Sequence, residues 1–597
     1  MPPRPIPSTP AAPEMPASAA ESGAMSSREV IVAMSGLLLG MFVAILAGTV
    51  VSTALPRIIH DLGGGQTSYT WVVTASLLAT TVTTPVWGKF ADLLNRKLLI
   101  QASLVVFVVG SALCGFAQDP GTLIGFRVLQ GVGSGGMMAL VQIVMADIVS
   151  PRDRGKYMGL IGAVMAVGTV GGPLLGGVIT DVLNWRWNFY VALPVAVVAL
   201  VVLQKTLHVP ARPAKKITVD YLGVGLLAAG VSLLLIWVSL AGSNFEWISA
   251  TSLIMLAVSV VLLAALVVVE LRVAEPIIPM TMFRSRTFTL SVVASIAVGV
   301  GMFGTTVYLT EYMQLARGAT ATESGLMTSP MVIGLMAAST VAGALISRRG
   351  YWKSYMVGGS ILMTVGMALM STMAYDTPFA LLSIYMVVMG AGVGMVMQNL
   401  VLIVQNDVDP RQIGVASAGV AFFRTLGGTI GVSALGALLT SRLAGLFADR
   451  QDELAAAAAA SGAAGRKALA ALASGETPNV ATLPGPIAEV VKPVFGSGIG
   501  TLFLVAVPLA VICLLALAFL PNKPLGRKTT TQRIASGEGG VAAVGAGGHG
   551  VAADRVVLNG VPVSFKQEVG AALVESAEAL AGDTADVVES GPVTVTR

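Results

Sequence analysis

The sequence has little charge, almost no cysteine and almost no histidine. Of its 597 residues only 11% are Asp, Glu, Lys or Arg, two are Cys and three are His. A soluble chain carries about 25% charged residues, so an ordinary water-facing globular surface is excluded. Cys114 and Cys513 each lie inside an apolar run, where a thiol packs as a small hydrophobe, and a disulfide framework is excluded. His60, His208 and His549 are too scattered to suggest a metal site. No nucleophile, metal cluster or nucleotide loop stands out, which argues against an enzyme, and no nucleic-acid partner is expected. What is present is 55% hydrophobic residues and 68 Gly, the composition of an all-α polytopic membrane protein.

About 20 apolar residues cross a bilayer core. Fourteen runs qualify, near 30–56, 68–90, 98–117, 121–146, 157–180, 187–204, 220–241, 248–270, 287–313, 324–346, 354–374, 378–405, 413–440 and 497–520. Alternate short connections carry Lys89, Arg96 and Lys97, then Arg152, Arg154 and Lys156, then Lys205, Arg212, Lys215 and Lys216. The series continues with Arg272, Arg284 and Arg286, then Arg348, Arg349 and Lys353. The opposite connections hold little beyond Arg57, Arg186 and Arg317. The positive-inside rule puts the basic set and both termini in the cytoplasm.

Residues 1–29, rich in Pro, Ala and Ser, read as a disordered cytosolic tail rather than a cleaved signal. Residues 30–205 form a first six-helix bundle, 206–286 two inserted helices with inner loops, and 287–521 a second six-helix bundle. That bundle includes a long, Ala-rich outer loop at 443–496, and 522–597 read as a flexible cytosolic tail.

Internal repeats support two equivalent bundles. ADIVSPRDRG at 146–155 is echoed by NDVDPRQIG at 406–414, and TVGGPLLG at 169–176 by TLGGTIG at 425–431. Fourteen helices then divide as six, two and six, with the sixes related as parallel repeats.

Residues 159–177, GLIGAVMAVGTVGGPLLGG, carry Gly159, Gly168, Gly172, Pro173, Gly176 and Gly177. In water each interior Gly costs a helix about 0.8–1 kcal/mol and Pro about 3; in a bilayer the helix persists, because no water competes for its backbone. Gly168, Gly172 and Gly176 stand at i, i+4 and i+8, a side-chain-free stripe for close helix approach. Pro173 should bend the helix there.

In GKFADLLNRK (88–97), Gly88 lets the chain pass close to a neighbour and Asp92 suits a helix N-terminus. Arg96 and Lys97 are expected to face the anionic membrane surface. A degenerate copy, GALISRRG at 343–350, has Ser347 where the acid would be. Asp147 and Asp407 end spans four and twelve at equivalent positions and are expected to pair with Arg152 and Arg411 as gating pairs. Arg127 lies within an apolar span, where a charge is costly and usually functional. Glu311 is the one acid placed within a span, near its outer end, and is the candidate titrating carboxylate. Arg424 in span thirteen, with Gln142, Gln398 and Asn399, is expected to face a cavity. Met137, Met138, Met386, Met389, Met395 and Met397 suit either an adaptable pocket or ordinary core filling.

These segments together resemble the major facilitator superfamily. Residues 159–177 match its exporters' antiporter motif, 88–97 its inner-loop signature, and FRVLQGVGSGG (126–136) its fourth-span motif, with Arg127, Gln130 and Gly131 in place. LAGTVVSTALP (46–56) resembles the first-span signature of fourteen-span drug exporters, with Ala47 where that family often carries Asp. The resemblance implies two bundles rocking about a central site and a monomer in the bacterial cell membrane, surrounded by its lipids. It implies export of hydrophobic or amphipathic compounds in exchange for protons, with Arg127 in proton transfer, Gln130 at the cavity and no cofactor beyond the proton gradient. Ala47 cannot exchange a proton, which leaves the coupling site open. Export of lipids or envelope precursors on the same fold is an alternative, and a non-transporting sensor or scaffold another.

Overall fold

The computed structural model describes residues 27–64, 66–207, 220–242, 245–473, 480, 483–536, 556–558 and 561–563. Among the described residues fourteen long helices dominate, placed where the hydropathy pattern marks them. The first six are α1 (Ser27–Asp61), α2 (Gln66–Leu93), α3 (Arg96–Phe116), α4 (Pro120–Ile148), α5 (Pro151–Val182) and α6 (Ala192–Thr206). The inserted pair is α7 (Tyr221–Leu240) and α8 (Ala250–Glu270). The last six are α9 (Arg286–Leu315), α10 (Ser329–Arg349), α11 (Lys353–Met370), α12 (Phe379–Asp407), α13 (Ile413–Ala448) and α14 (Gly485–Ala518). Eleven of the described helices are long and apolar enough to cross a membrane.

Helix ends follow local chemistry. Asp119 and Thr122 form a capping box at α4 with Pro120 in its first turn, and Ser150 caps α5 with Pro151 following. Gly350 ends α10 at φ 76°, a left-handed conformation that favours glycine.

Helix pairing repeats with an offset of eight. In the first half α2 and α3 pack on α4, and α1 on α5 and α6; in the second half α10 and α11 pack on α12, and α9 on α13 and α14. Each half has its own apolar core, and that of the second is rich in methionine, with Met363, Met367, Met386 and Met389 almost fully buried. Met137 is fully buried against Gly40 in the first half. Of the two uses of methionine weighed above, these residues serve core filling.

Three boundaries differ from the sequence reading. The helix α1 begins at Ser27, inside the expected tail; residues 1–26 lie outside the described residues. The segment 443–496 is largely helical: α13 runs to Ala448, helices follow at Gln451–Ala460 and Gly462–Ala473, and α14 starts at Gly485. Alanine has the best helix propensity, and Leu454, Ala457 and Ala458 bury one face in the second half's core with Ile487 and Val491. Finally, residues 522–536 are an ordered strap, with a capped helix at Thr530–Ala535. Beyond Gly540 the described residues form a separate unit, an antiparallel pair of Val556–Leu558 with Val561–Val563.

Candidate functional site: two seams between the halves

The halves meet along two seams related by the eight-helix offset, α2 against α13 and α5 against α10. Both are tightest at the end carrying the basic connections, called here the basic end. Each is founded on a glycine pair. Gly88 packs on Gly414, and a Cβ on it would stand 2.9 Å from the Gly414 carbonyl oxygen. Gly155 and Gly343 face each other so closely that a Cβ on either would strike the other's carbonyl.

Over the α2–α13 seam lies a charge cluster. Asp92 accepts hydrogen bonds from the Gly414 and Val415 backbone N–H groups, both at 2.8 Å, at the N-terminus of α13. Unsatisfied N–H groups and the helix dipole favour a carboxylate at this place. Arg96 donates to Asp92 (3.1 Å), to Asp147 (2.5 Å) and to the Ala91 carbonyl (2.8 Å). It is 1% exposed, so the expectation that Arg96 faces the membrane surface is corrected: two carboxylates draw it under the loop. Lys97 instead reaches the Gln204 carbonyl at 2.7 Å.

Among the described residues the α5–α10 seam carries no such cluster. Ser347 donates to the Arg152 carbonyl, and Arg152 donates to the carbonyls of Ser347 (3.2 Å) and Arg348 (3.0 Å). The expected pairs Asp147–Arg152 and Asp407–Arg411 are therefore not the ones formed. Asp147 pairs with Arg96, Asp407 with Lys523, and the Arg411 side chain is exposed. Partners far apart in sequence win because they converge under the loop, whereas Arg152 is drawn to the helix-end carbonyls of α10. Asp153 in the first turn of α5 is held below the usual carboxylate range, chiefly by its hydrogen bond with Lys156 at 2.9 Å.

Along α5 the glycines divide by partner. Gly159 meets Thr340 of α10, whereas Gly168, Gly172 and Gly176 meet Ile45, Thr49 and Val50 of α1. Thr49 donates to the Gly168 carbonyl at 2.9 Å, across the stripe. Gly177 faces open space. The side chain of Pro173 lies outside the described residues.

Between the seams, α4 and α12 share a polar ladder. Gln142 donates to Gln398 (3.4 Å), Gln405 to the Gln142 carbonyl (3.2 Å), and Arg154 to Gln405 (2.6 Å). Asn399 is fully buried and donates to its own helix at Met395. Arg154, 1% exposed, was not singled out from sequence. The signal was its break from the repeat, since Ile413 stands at the equivalent place. Arg127 is buried, donating to Gln130 (2.6 Å) and the Val72 carbonyl (3.3 Å), and Gln130 donates to Ser111. Both thus sit inside the first half's packing. Glu311, in the second half, is partly buried near the end of α9 away from the basic end. Arg424 in α13 has a buried NH1 without a hydrogen-bond partner.

The strap crosses the basic end and touches both halves, a contact the composition of residues 522–536 did not reveal. In the first half Thr530 donates to the Ala146 carbonyl at 2.8 Å, and the Gly526 carbonyl accepts from the Arg152 backbone at 3.1 Å. In the second half Arg533 donates to the carbonyls of Gln405 and Val408, Leu525 N–H to the Gly350 carbonyl, and Lys523 pairs with Asp407.

Comparison with known proteins agrees with this geometry. A family model described as Major Facilitator Superfamily matches residues 37–432. An uncharacterized transporter of that superfamily from Mycobacterium tuberculosis is 43% identical over 409 residues, 68% of this chain and 59% of its own length. The match thus spans about six tenths of that relative. The multidrug transporter protein MdtP of Bacillus subtilis is 36% identical, over 72% of this chain and 79% of its own. Multidrug resistance protein 3 of the same organism is 32% identical, over 68% and 79%. Among solved structures, the human organic anion transporter MFSD10 (TM-score 0.52, 14% identity) covers 81% of this chain with 99% of its own. The proton:xylose symporter XylE (TM-score 0.53, 13% identity) covers 86% with 100% of its own. At those identities the likeness is one of fold. The chain belongs to the Major Facilitator Superfamily of membrane transporters.

Proposed function

We propose that this transporter exports hydrophobic or amphipathic small molecules by alternating access, in exchange for protons, with its basic end in the cytoplasm. The observation that carries the reading is the pair of glycine seams, closed together at one end, with a charge cluster over one of them. Two bundles held that way form a gate that opens when they rock apart. The drug-transporter names of the Bacillus relatives support the substrate class, and the Lys/Arg bias supports the orientation. Both termini are then cytoplasmic, and the protein works as a monomer in a bacterial cell membrane.

In this reading Gly88, Asp92, Arg96, Asp147, Gly155 and Gly343 hold the cytoplasmic gate, and opening it releases the strap from one half. Arg424, with its unpartnered NH1, and the amides Gln142 and Gln398 contact substrate once the halves part. Arg127 and Glu311 serve proton coupling; Ala47 leaves α1 without the usual carboxylate, and Glu311 supplies one from the other half. The test is ethidium transport into inside-out vesicles with and without a pH gradient. Gradient-dependent accumulation is expected. Accumulation that ignores the gradient overturns the coupling, and none across a panel of cationic and neutral drugs overturns the substrate class in favour of lipids.

A further inference from the structure

The polar ladder of α4 and α12 also reaches α13. Gln405 donates to the Ser417 hydroxyl at 2.8 Å, so the face of α13 that carries Ser417 looks into the space between the halves. Arg424 stands seven residues on, two turns and about 10 Å from Ser417, on the same face and away from the closed basic end. Helix α9 lies along its flank. Gly299 of α9 faces the Arg424 carbonyl, and Gly428, one turn beyond Arg424, packs on Phe303 of α9.

The Arg424 guanidinium makes no hydrogen bond or ion pair among the described residues, and its Nη1 is buried. A charge at this depth is costly unless an opposite or polar group meets it. The neighbouring helices supply no acid at its level. Glu311 is twelve residues beyond Gly299, about 18 Å further along α9. On α1, Glu29 and Asp61 stand at the two ends, and Ala47 lies between them. Arg127 adds a second cation in the first half, already satisfied by Gln130 and the Val72 carbonyl.

On α12, Gln398 stands two turns from Gln405, again away from the basic end. Its amide donates to the Met165 sulfur at 3.3 Å, and a thioether is a weak acceptor. Gln142 and Asn399 each have a buried amide oxygen without a partner. Those oxygens are neutral, so the charge on this side of the ladder stays positive.

We propose that Arg424 is a head-group subsite that takes a monoanion, so that the favoured amphipaths carry one carboxylate or sulfonate beside an apolar body. A guanidinium donates two parallel hydrogen bonds to a carboxylate and suits a sulfonate oxygen pair in the same way. The inference deepens the substrate class given above and rests on that reading for transport; the binding preference stands on the site alone. Ethidium, a cation, occupies the apolar part of the cavity without using this subsite.

Two probes with one ring system and opposite charge test it. Naphthalene-2-sulfonate and 2-naphthyltrimethylammonium are titrated against the purified full chain in zwitterionic nanodiscs, with empty nanodiscs subtracted. The native chain should bind the sulfonate about tenfold or more tighter than the ammonium, and Arg424→Gln should bring the two within about twofold. Arg424→Lys should keep the sign of the preference. Equal affinities in the native chain, or a preference that survives in Arg424→Gln, overturns the subsite. Replacing part of the lipid with phosphatidylglycerol should leave the sulfonate affinity unchanged. Its loss there assigns Arg424 to a lipid head group and overturns the small-molecule class. Gradient-driven ethidium export without any sulfonate preference leaves the export reading standing while the subsite falls. A sulfonate preference with no driven export of any probe does the reverse.

Discussion

The two seams are built from one plan and secured differently. Gly88–Gly414 and Gly155–Gly343 occupy equivalent places in the repeat, but Asp92 at the first seam is replaced by Ser347 at the second. Asp92 takes two N–H groups from a helix N-terminus and still holds Arg96, whereas Ser347 donates its hydroxyl to the Arg152 carbonyl. The first seam also has residues of the inserted hairpin packed against it. In the proposed reading the α2–α13 seam is thus the latched side of the gate, and the α5–α10 seam is held mainly through contacts to backbone. It is held by the glycine contact and by Arg152 on two helix-end carbonyls, with no carboxylate engaged among the described residues.

Substitutions should separate the two sides. The largest effect is expected from Gly155→Leu, which puts a branched side chain where not even a Cβ fits; overpacking of this kind costs about 1–3 kcal/mol or more. The basic end should stay open, read as rapid labelling of a cysteine at Ser347 by a water-soluble maleimide. Next comes Asp92→Ala, which strips two N–H groups and leaves Arg96 with Asp147. Hydrogen bonds to a charged group contribute about 1.5–3 kcal/mol, so efflux should fall about tenfold or more with normal membrane insertion. Ser347→Ala, at the equivalent position, should cost less than half as many logarithmic units; equal losses would erase the distinction between the seams.

Ending the chain at Pro521 removes the strap from both halves. Apart from the part-buried Arg533, its bonds are neutral or solvent-exposed and individually contribute about 0.5–1.5 kcal/mol, partly replaced by water, so a two- to fivefold rise in maleimide labelling at the basic end is expected. The smallest effect is the control. Gly177→Ala meets open space and should leave efflux unchanged, whereas Gly172→Ala, pressed on Thr49, should impair it.

The long helices and their order were legible because apolar runs and basic connections are local signals. So was Gly88 as a close-approach residue, since a glycine beside a charged turn has few other uses. The partners of Arg96, Asp147 and Asp407 were not legible, because proximity in sequence favoured Arg152 and Arg411 while the fold brings other groups together. The Ala-rich segment after α13 was read as a loop, since its weak apolar stripe buries only once its two helices pack on each other and on α14. The strap was missed because it forms almost no structure of its own; its order comes from carbonyls and N–H groups left over at the ends of other helices.

The central claim is that the basic end is the moving gate. It is tested most directly by spin labels at Lys156 of α5 and Arg348 of α10, both exposed on opposite sides of the second seam. The account predicts a short-distance population that gives way to a longer one when substrate or the pH gradient is changed in membranes. One short distance under every condition that supports transport would contradict it.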